Sequence, residues 1–317
     1  MSNIITIQAL TKRYGQLTAL DNLTLDVEEG AVVGFIGPNG AGKTTTMRIL
    51  TTLLSPSSGE ASVAGYSVTE EPQGVRGSIG YMPDFFGVYE DMKVWEYLDF
   101  FAACYNVQET VRHGMIGDLL DLVDLGHKRD EYVENLSRGM KQRLCLARTL
   151  THDPKVLILD EPASGLDPRA RIEMRELLRE LKNMGKTIFF SSHILSEIAD
   201  VCTHIAILEA GRLVAYGDMA EMKKQLRPHR LFIVRILGDT KVIQETLVET
   251  DKVLGIVPVQ ETDPESRTVR FEFTGDDREV SLLLATLVKK EVPIISFAQE
   301  SNDLEDVFMH VTRGIVH

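Results

Sequence analysis

Residues 31–50 carry three consecutive signals that few folds can accommodate together. Ala31-Val-Val-Gly-Phe-Ile36 is a short apolar run that reads as a buried strand. Gly37, Pro38, Asn39, Gly40, Ala41, Gly42, Lys43 and Thr44 follow in the pattern G-x-x-x-x-G-K-[ST]. Thr45-Thr46-Met47-Arg48-Ile49-Leu50 then reads as a helix, with Thr45 in its first turn. A strand, a glycine-rich turn and a helix start aim several backbone N–H groups at one point, which makes a cradle for phosphate. Gly37, Gly40 and Gly42 let the backbone approach an anion with no Cβ in the way. In such a cradle Lys43 reaches the β- and γ-phosphates of a nucleotide, and the Thr44 hydroxyl ligates Mg²⁺. The bland alternative is a glycine-rich turn that binds nothing. A chance match in a chain of this length is on the order of one in a hundred.

The 317 residues suffice for one large domain and a smaller one, and 44% hydrophobic content predicts a packed core. The net charge of −13 argues against a general nucleic-acid binder, which would show a basic footprint. Cys104, Cys145 and Cys202 are far apart and form no C-x-x-C pair, so neither a zinc site nor a disulfide framework is expected. A reduced, cytoplasmic setting follows. The N-terminus has no basic stretch leading into an apolar one. No apolar run is long enough to span a bilayer, so work at a membrane would need a partner.

Residues 1–220 alternate strand and helix signals, which predicts an α/β class core of the P-loop type. Val156-Leu-Ile-Leu159 and Thr187-Ile-Phe-Phe190 read as buried parallel strands. Asp167-Pro168 reads as an N-cap and first helical position, and Gly185 as the end of that helix. Residues 84–150 are expected to form a helical subdomain, and 221–230, polar and proline-containing, a linker. Residues 231–317 follow a second pattern, strand–helix–strand–strand–helix–strand, the ferredoxin-like α+β order, closed by a helix over 304–311.

The strand Val156–Leu159 runs directly into Asp160-Glu161. A carboxylate at the C-terminal edge of a parallel sheet lies near the phosphate cradle, where Asp160 can hold Mg²⁺. Glu161 faces another way and can polarise an attacking water. The bland reading of an Asp-Glu pair at a strand end is a solvated turn. Between the two elements, Ser137 reads as the N-cap of a helix over 140–150 that points its positive end at an anion. Its bland reading is an ordinary capped, basic-faced helix.

This set of residues, in this order, resembles the ATP-binding cassette superfamily, the nucleotide-binding subunits of ABC transporters, over residues 3–220. Leu136-Ser-Arg-Gly-Met140 resembles the signature motif, usually LSGGQ, and Lys12-Arg-Tyr14-Gly15 the adenine-stacking loop with Tyr14 as its aromatic. Ser164-Gly-Leu-Asp167 resembles the D-loop, and Ser191-Ser-His193 the switch-histidine loop. The resemblance implies that ATP is hydrolysed with Mg²⁺, that His193 touches the γ-phosphate, and that two cassettes close head to tail as a homodimer or paired cassette. Ser137, Gly139 and Asp167 of one would then complete the ATP site of the other. It also implies a separate transmembrane permease, at which the chain sits on the inner face of the cell membrane.

Two positions depart from the family pattern. Asp84 stands where the family usually has glutamine, which leaves it able to bind Mg²⁺ but unable to donate a hydrogen bond when ionised. Arg138 and Met140 replace Gly and Gln of the usual signature. The stretch Asp303-Leu-Glu-Asp306-Val-Phe308 resembles the end of cassettes that pair with ABC-2-type exporter permeases. The competing readings are a soluble ATP-driven switch and a cassette that binds ATP without hydrolysing it.

Overall fold

The computed structural model describes residues 2–85, 87–193, 200–219, 230–258 and 266–299, and every count below refers to these. Of the expected linker, residues 221–229 lie outside the described residues, as does the expected closing helix at 304–311, and Arg230 already belongs to a strand. Contacts divide the chain between Met219 and Ala220.

The first unit opens with two long strands, β1 (Asn3–Tyr14) and β2 (Leu17–Glu28), then β3 (Val32–Ile36) and α1 (Lys43–Leu50). It continues through β4 (Ser58–Val63), β5 (Tyr66–Ser67), α2 (Pro72–Ser78) and β6 (Ile79–Met82). Helices α3 (Val94–Cys104), α4 (Glu109–Leu122) and α5 (Arg138–Leu150) form a helical layer, packed pairwise on one another. The chain then returns through β7 (Val156–Leu159), α6 (Pro168–Asn183), β8 (Thr187–Ser192), β9 (His204–Glu209) and β10 (Arg212–Asp218).

Two sheets organise this unit. One is antiparallel, in the order β2-β1-β4-β5; the other has the order β10-β9-β3-β8-β7-β6. Within the second, β9, β3, β8, β7 and β6 run parallel and only β10 is antiparallel. Every residue of β3, β7 and β8 is buried, as the continuous apolar runs predict for strands covered on both faces. β2 instead alternates, with Leu23, Leu25 and Val27 turned inward. Met47, Ile49 and Leu50 of α1 belong to one apolar cluster with Ile5 and Leu23 of the antiparallel sheet and Val33, Phe35 and Ile158 of the parallel one. Because β3, β7 and β8 are parallel, the loops that leave them emerge at one edge of the sheet.

The second unit is β11 (Arg230–Leu237), α7 (Lys241–Val248), β12 (Val253–Pro258), β13 (Ser266–Phe273), α8 (Asp277–Lys289) and β14 (Ile294–Gln299). Its antiparallel sheet has the order β12-β13-β11-β14, the split-βαβ topology. Phe232, Phe271 and Phe273 anchor a separate core with Ile243, Leu247 and Leu287 of its helices. Asp276 and Glu279 cap α8 reciprocally.

Candidate nucleotide site

The turn between β3 and α1 is shaped by close approaches of other backbone. A Cβ at Gly37 would fall 2.3 Å from the Leu208 carbonyl oxygen of β9, and one at Gly42 would fall 2.6 Å from the Ala19 carbonyl oxygen of β2. Gly42 is also left-handed, at φ 106°, and caps α1 through its backbone alone. Gly40, at φ 83°, has open space where a Cβ would stand, so only its dihedral calls for glycine. Pro38, Asn39 and Ala41 form the turn itself, closed by the Ala41 N–H donating to the Pro38 carbonyl. The first N–H groups of α1, at Lys43, Thr44 and Thr45, have no acceptor within the helix, so they are open to an anion at its start.

Lys43 is buried, at 6% exposure, yet fully partnered. Its Nζ donates to the Gly37 carbonyl at 2.7 Å and lies 3.5 Å from Glu161 Oε1. A buried ammonium must be paired in this way or lose its charge. Glu161 in turn meets His193, whose Nδ1 is 2.8 Å from Oε2. An ionised carboxylate only accepts, so in this contact Nδ1 carries the proton. Glu161 has φ 50°, a left-handed conformation that costs a non-glycine residue about 1–2 kcal/mol. The distortion turns its side chain toward Lys43 while Asp160, one residue earlier, points to a different set of partners.

Asp160 is 1% exposed. The Ser191 hydroxyl donates to its Oδ1 at 2.7 Å, while the Glu161 N–H donates to the same Ser191 oxygen at 2.9 Å. Ser191 is the penultimate residue of β8, which lies between β3 and β7 in the sheet, so its hydroxyl meets the carboxylate segment that leaves the neighbouring β7. Burial, then the Asp160 carboxylate, pushes the nearby Tyr81 phenol up to about 12, which keeps it neutral. Asp84 is raised from the usual carboxylate range by burial first and then by Asp160 and Glu161, against the opposing pull of Arg138 and His193.

Three carboxylates therefore crowd one edge, where Lys43 is paired to Glu161 and the Arg138 guanidinium lies within reach of Asp84. That donor set fits a hard divalent cation, which the Asp160 oxygen not taken by Ser191 could hold beside the Thr44 hydroxyl. Among the described residues no three His, Cys, Asp or Glu side chains are assembled as a metal cage. Mg²⁺ is usually held by one or two carboxylates, with phosphate oxygens and waters completing its shell.

The remaining sequence-derived residues lie apart from this cluster. Ser137 caps α5 by accepting from the Met140 N–H at 3.3 Å, and Asp167 caps α6 by accepting from the Ala170 N–H at 2.9 Å. Among the described residues no hydrogen bond or ion pair joins Ser137 or Gly139 to the phosphate turn; Gly139 packs instead on Ala170 and Leu166. Tyr14 ends β1, 47% exposed, with the Lys12 ammonium 5.2 Å from its ring. Its hairpin partner β2 is the strand that presses on Gly42. Two residues at the site had no role in the sequence reading. The sequence alone gives Ser191 only a place in a loop and gives no role to Gln142, whose side-chain amide donates to the Pro162 carbonyl. The available signals are a serine that directly follows a buried apolar run and a polar residue on the buried face of α5.

The ABC transporter family model matches residues 20–164. The Nod factor export ATP-binding protein I of Ralstonia nicotianae is 33% identical, over 98% of this chain and 94% of that protein. The daunorubicin/doxorubicin resistance ATP-binding protein DrrA of Streptomyces peucetius is 32% identical, over 97% of this chain and 92% of that protein. A solved ATP-binding subunit of an ABC transporter superposes with a TM-score of 0.63 at 31% identity, covering 70% of this chain and 92% of that one. A phosphate turn backed by β2 and β9, a buried Lys43 paired to a strand-end glutamate, and relatives matched along nearly their whole length lead to one conclusion: this chain belongs to the ABC transporter family, as an ATP-hydrolysing nucleotide-binding cassette.

Proposed function

We propose that this cassette energises a separate membrane permease that exports its cargo, by pairing head to tail around Mg²⁺-ATP and separating after hydrolysis. The observation that carries the hydrolytic part is the chain Lys43–Glu161–His193, with contacts of 3.5 and 2.8 Å. It sets a general base next to the cation that would hold the γ-phosphate. Lys43 is paired to Glu161 and Gly37 here; an arriving phosphate competes for its ammonium and frees the Glu161 carboxylate to orient water. Mg²⁺, held by Thr44 and Asp160, would neutralise charge on the phosphate oxygens. His193 and the α5 N-terminus of the paired cassette add hydrogen-bond donors where the transition state spreads negative charge.

Pairing follows from the separation of Ser137 and Gly139 from the phosphate turn. One chain carries one of each, so a complete site needs a second cassette, and an isologous pair builds two sites at once. Tyr14, exposed at the end of the β1–β2 hairpin whose second strand backs that turn, is the surface for the adenine ring. Export is supported by the names of the two relatives, both of them ATP-binding proteins of export or drug resistance. No described helix is long and apolar enough to cross a membrane, so the path for cargo lies in another subunit. A cleft of about 310 Å³ lined by Leu53, Arg76, Phe101, Tyr105 and Arg148 is a fitting seat for that subunit, with Leu53 and Tyr105 exposed at its rim. Tyr97, by contrast, is fully buried within the helical layer and serves its packing.

The deciding experiment is a pull-down from detergent-solubilised membranes with the Glu161→Gln form and Mg²⁺-ATP. Recovery of a multi-span permease is expected, together with turnover reduced by about 10²–10⁴-fold and ATP binding retained. Normal turnover would remove Glu161 as the base. Recovery of soluble partners alone would replace export with a soluble ATP-driven switch.

A further inference from the structure

Arg138 occupies the first helical position of α5, where the family signature usually has glycine. Its side chain is exposed, yet the guanidinium is folded back on a neighbouring loop. It lies over the backbone of Gly165, so that a Cβ built on that glycine would fall 2.2 Å from Nη2 and 2.5 Å from Cζ. Nη2 is also 3.5 Å from the Ser164 carbonyl oxygen, too long for that bond alone to hold the group. The contact is therefore chiefly one of shape: a planar cation fills the volume that a side chain at 165 would take. Gly165 is left-handed, at φ 66°, which turns its bare Cα outward to meet the guanidinium.

Two neighbouring contacts run along the same end of α5. A Cβ at Gly139 would stand 3.0 Å from the Ala170 Cβ, and Gln142 donates to the Pro162 carbonyl. The α5 start thus rests on residues 162–170 at three points, of which the Arg138 contact is the outermost. These two segments, the turn at 137–140 and the loop at 164–167, are the ones a head-to-tail pair would press against its partner.

We propose that Arg138 is a positioning residue: by covering Gly165 it fastens the 164–167 loop to the start of α5, so that the cassette presents both to a second cassette as one surface. This rests on the pairing reading above. Arg138 and Gly165 are reciprocal, because the long side chain at one position needs the missing side chain at the other. Asp84, crowded by Asp160 and Glu161, lies within the electrostatic reach of the same guanidinium. Held over Gly165, that charge stays close to the carboxylates instead of swinging free.

The test uses the full chain with Glu161→Gln, and Arg138→Ala, Arg138→Lys, Gly165→Ala and the Arg138→Ala/Gly165→Ala pair added to it. Hydrogen exchange of residues 163–167 without nucleotide reads the fastening directly; sedimentation with Mg²⁺-ATP reads pairing. Arg138→Ala is expected to speed exchange several-fold and to weaken the ATP-dependent dimer about tenfold. Arg138→Lys should not restore either, since an ammonium cannot lie flat on a backbone. Gly165→Ala should do more harm when Arg138 is present, by displacing it, than when Arg138 is already alanine and only the cost of the left-handed dihedral is left. Unchanged exchange in Arg138→Ala, full function in Arg138→Lys, or effects that simply multiply in the double variant would each overturn the proposal. If the Glu161→Gln parent fails to dimerise with ATP, the pairing reading falls, and exchange at 163–167 still decides whether Arg138 fastens the loop.

Discussion

Ser191 shows how much one hydroxyl can fix. It donates to Asp160 and accepts from the Glu161 N–H, so two carboxylates with different tasks are indexed by a single atom. Ser191→Ala leaves a buried carboxylate oxygen and a backbone N–H without their partner, which desolvation makes costly. Turnover should fall about 10–100-fold, and half-maximal activity should need more Mg²⁺, as expected when a group that orients a metal ligand is lost. A magnesium titration of ATPase activity checks this; an unaltered Mg²⁺ requirement would show that Ser191 does not orient Asp160 for the cation. His152 gives a residue-scale prediction of another kind. Its Nε2 sits 2.9 Å from the Ile79 carbonyl, its ring stacks on Tyr105 at 3.7 Å, and its Nδ1 is buried without a partner. Burial lowers its affinity for protons below the ordinary value of 6.5. The unfolded chain then binds more protons than the folded one as pH falls through 6.5, so this residue makes stability decrease toward acid. Replacing His152 with Gln should flatten the fall in melting temperature between about pH 6.5 and 5. An unchanged slope across that interval would place the acid sensitivity elsewhere.

At the scale of elements, the strand–turn–helix unit depends on β2 and β9 as much as on its own residues. Gly42→Ala adds a methyl group 2.6 Å from the Ala19 carbonyl oxygen at a position with φ 106°, so it combines backbone strain with displacement of β2. Gly40→Ala meets open space and carries only the dihedral cost, about 1–2 kcal/mol. Gly42→Ala should therefore abolish nucleotide binding and lower the melting temperature more than Gly40→Ala, which should bind more weakly but fold. Fluorescent-nucleotide titration and a thermal melt of both variants separate the two costs; equal losses would refute the role given to β2. These backing strands also mark where sequence reading stops. β3, β7 and β8 are legible because strands buried on both faces are continuous apolar runs, and the caps Ser137 and Asp167 are legible because capping is local. That β8 lies between β3 and β7 is a property of strand order, and its pairing with β3 joins residues as far apart in the chain as Val32 and Ile188. Hence Lys43, Asp160 and Glu161 could be listed from sequence, whereas Ser191 as the hydroxyl shared by Asp160 and the Glu161 N–H, and Arg138 over Gly165, could not.

At the scale of the whole molecule, the two units have no core residue in common. The first is built around Phe35, Met47 and Ile158, the second around Phe232, Phe271 and Leu287. Each buries its own apolar surface, and separately cored units generally lose their structure in separate steps. The nucleotide site lies wholly on the first, since Lys43, Asp160, Glu161 and His193 all precede Met219. A ligand stabilises only the unit that binds it, by about 2.7 kcal/mol when present at a hundred times its dissociation constant. For a unit of roughly two hundred residues that corresponds to a rise of about 5–10 °C. Calorimetry of the Glu161→Gln form should therefore show two transitions, with Mg²⁺-ATP raising one by this amount and leaving the other in place. The unmoved transition should coincide with the melt of the isolated segment from Arg230 onward, provided that segment is seen to fold by circular dichroism. A single transition that shifts as a whole would mean that the units unfold as one block, and that ATP bound at the phosphate turn stabilises the C-terminal sheet as well.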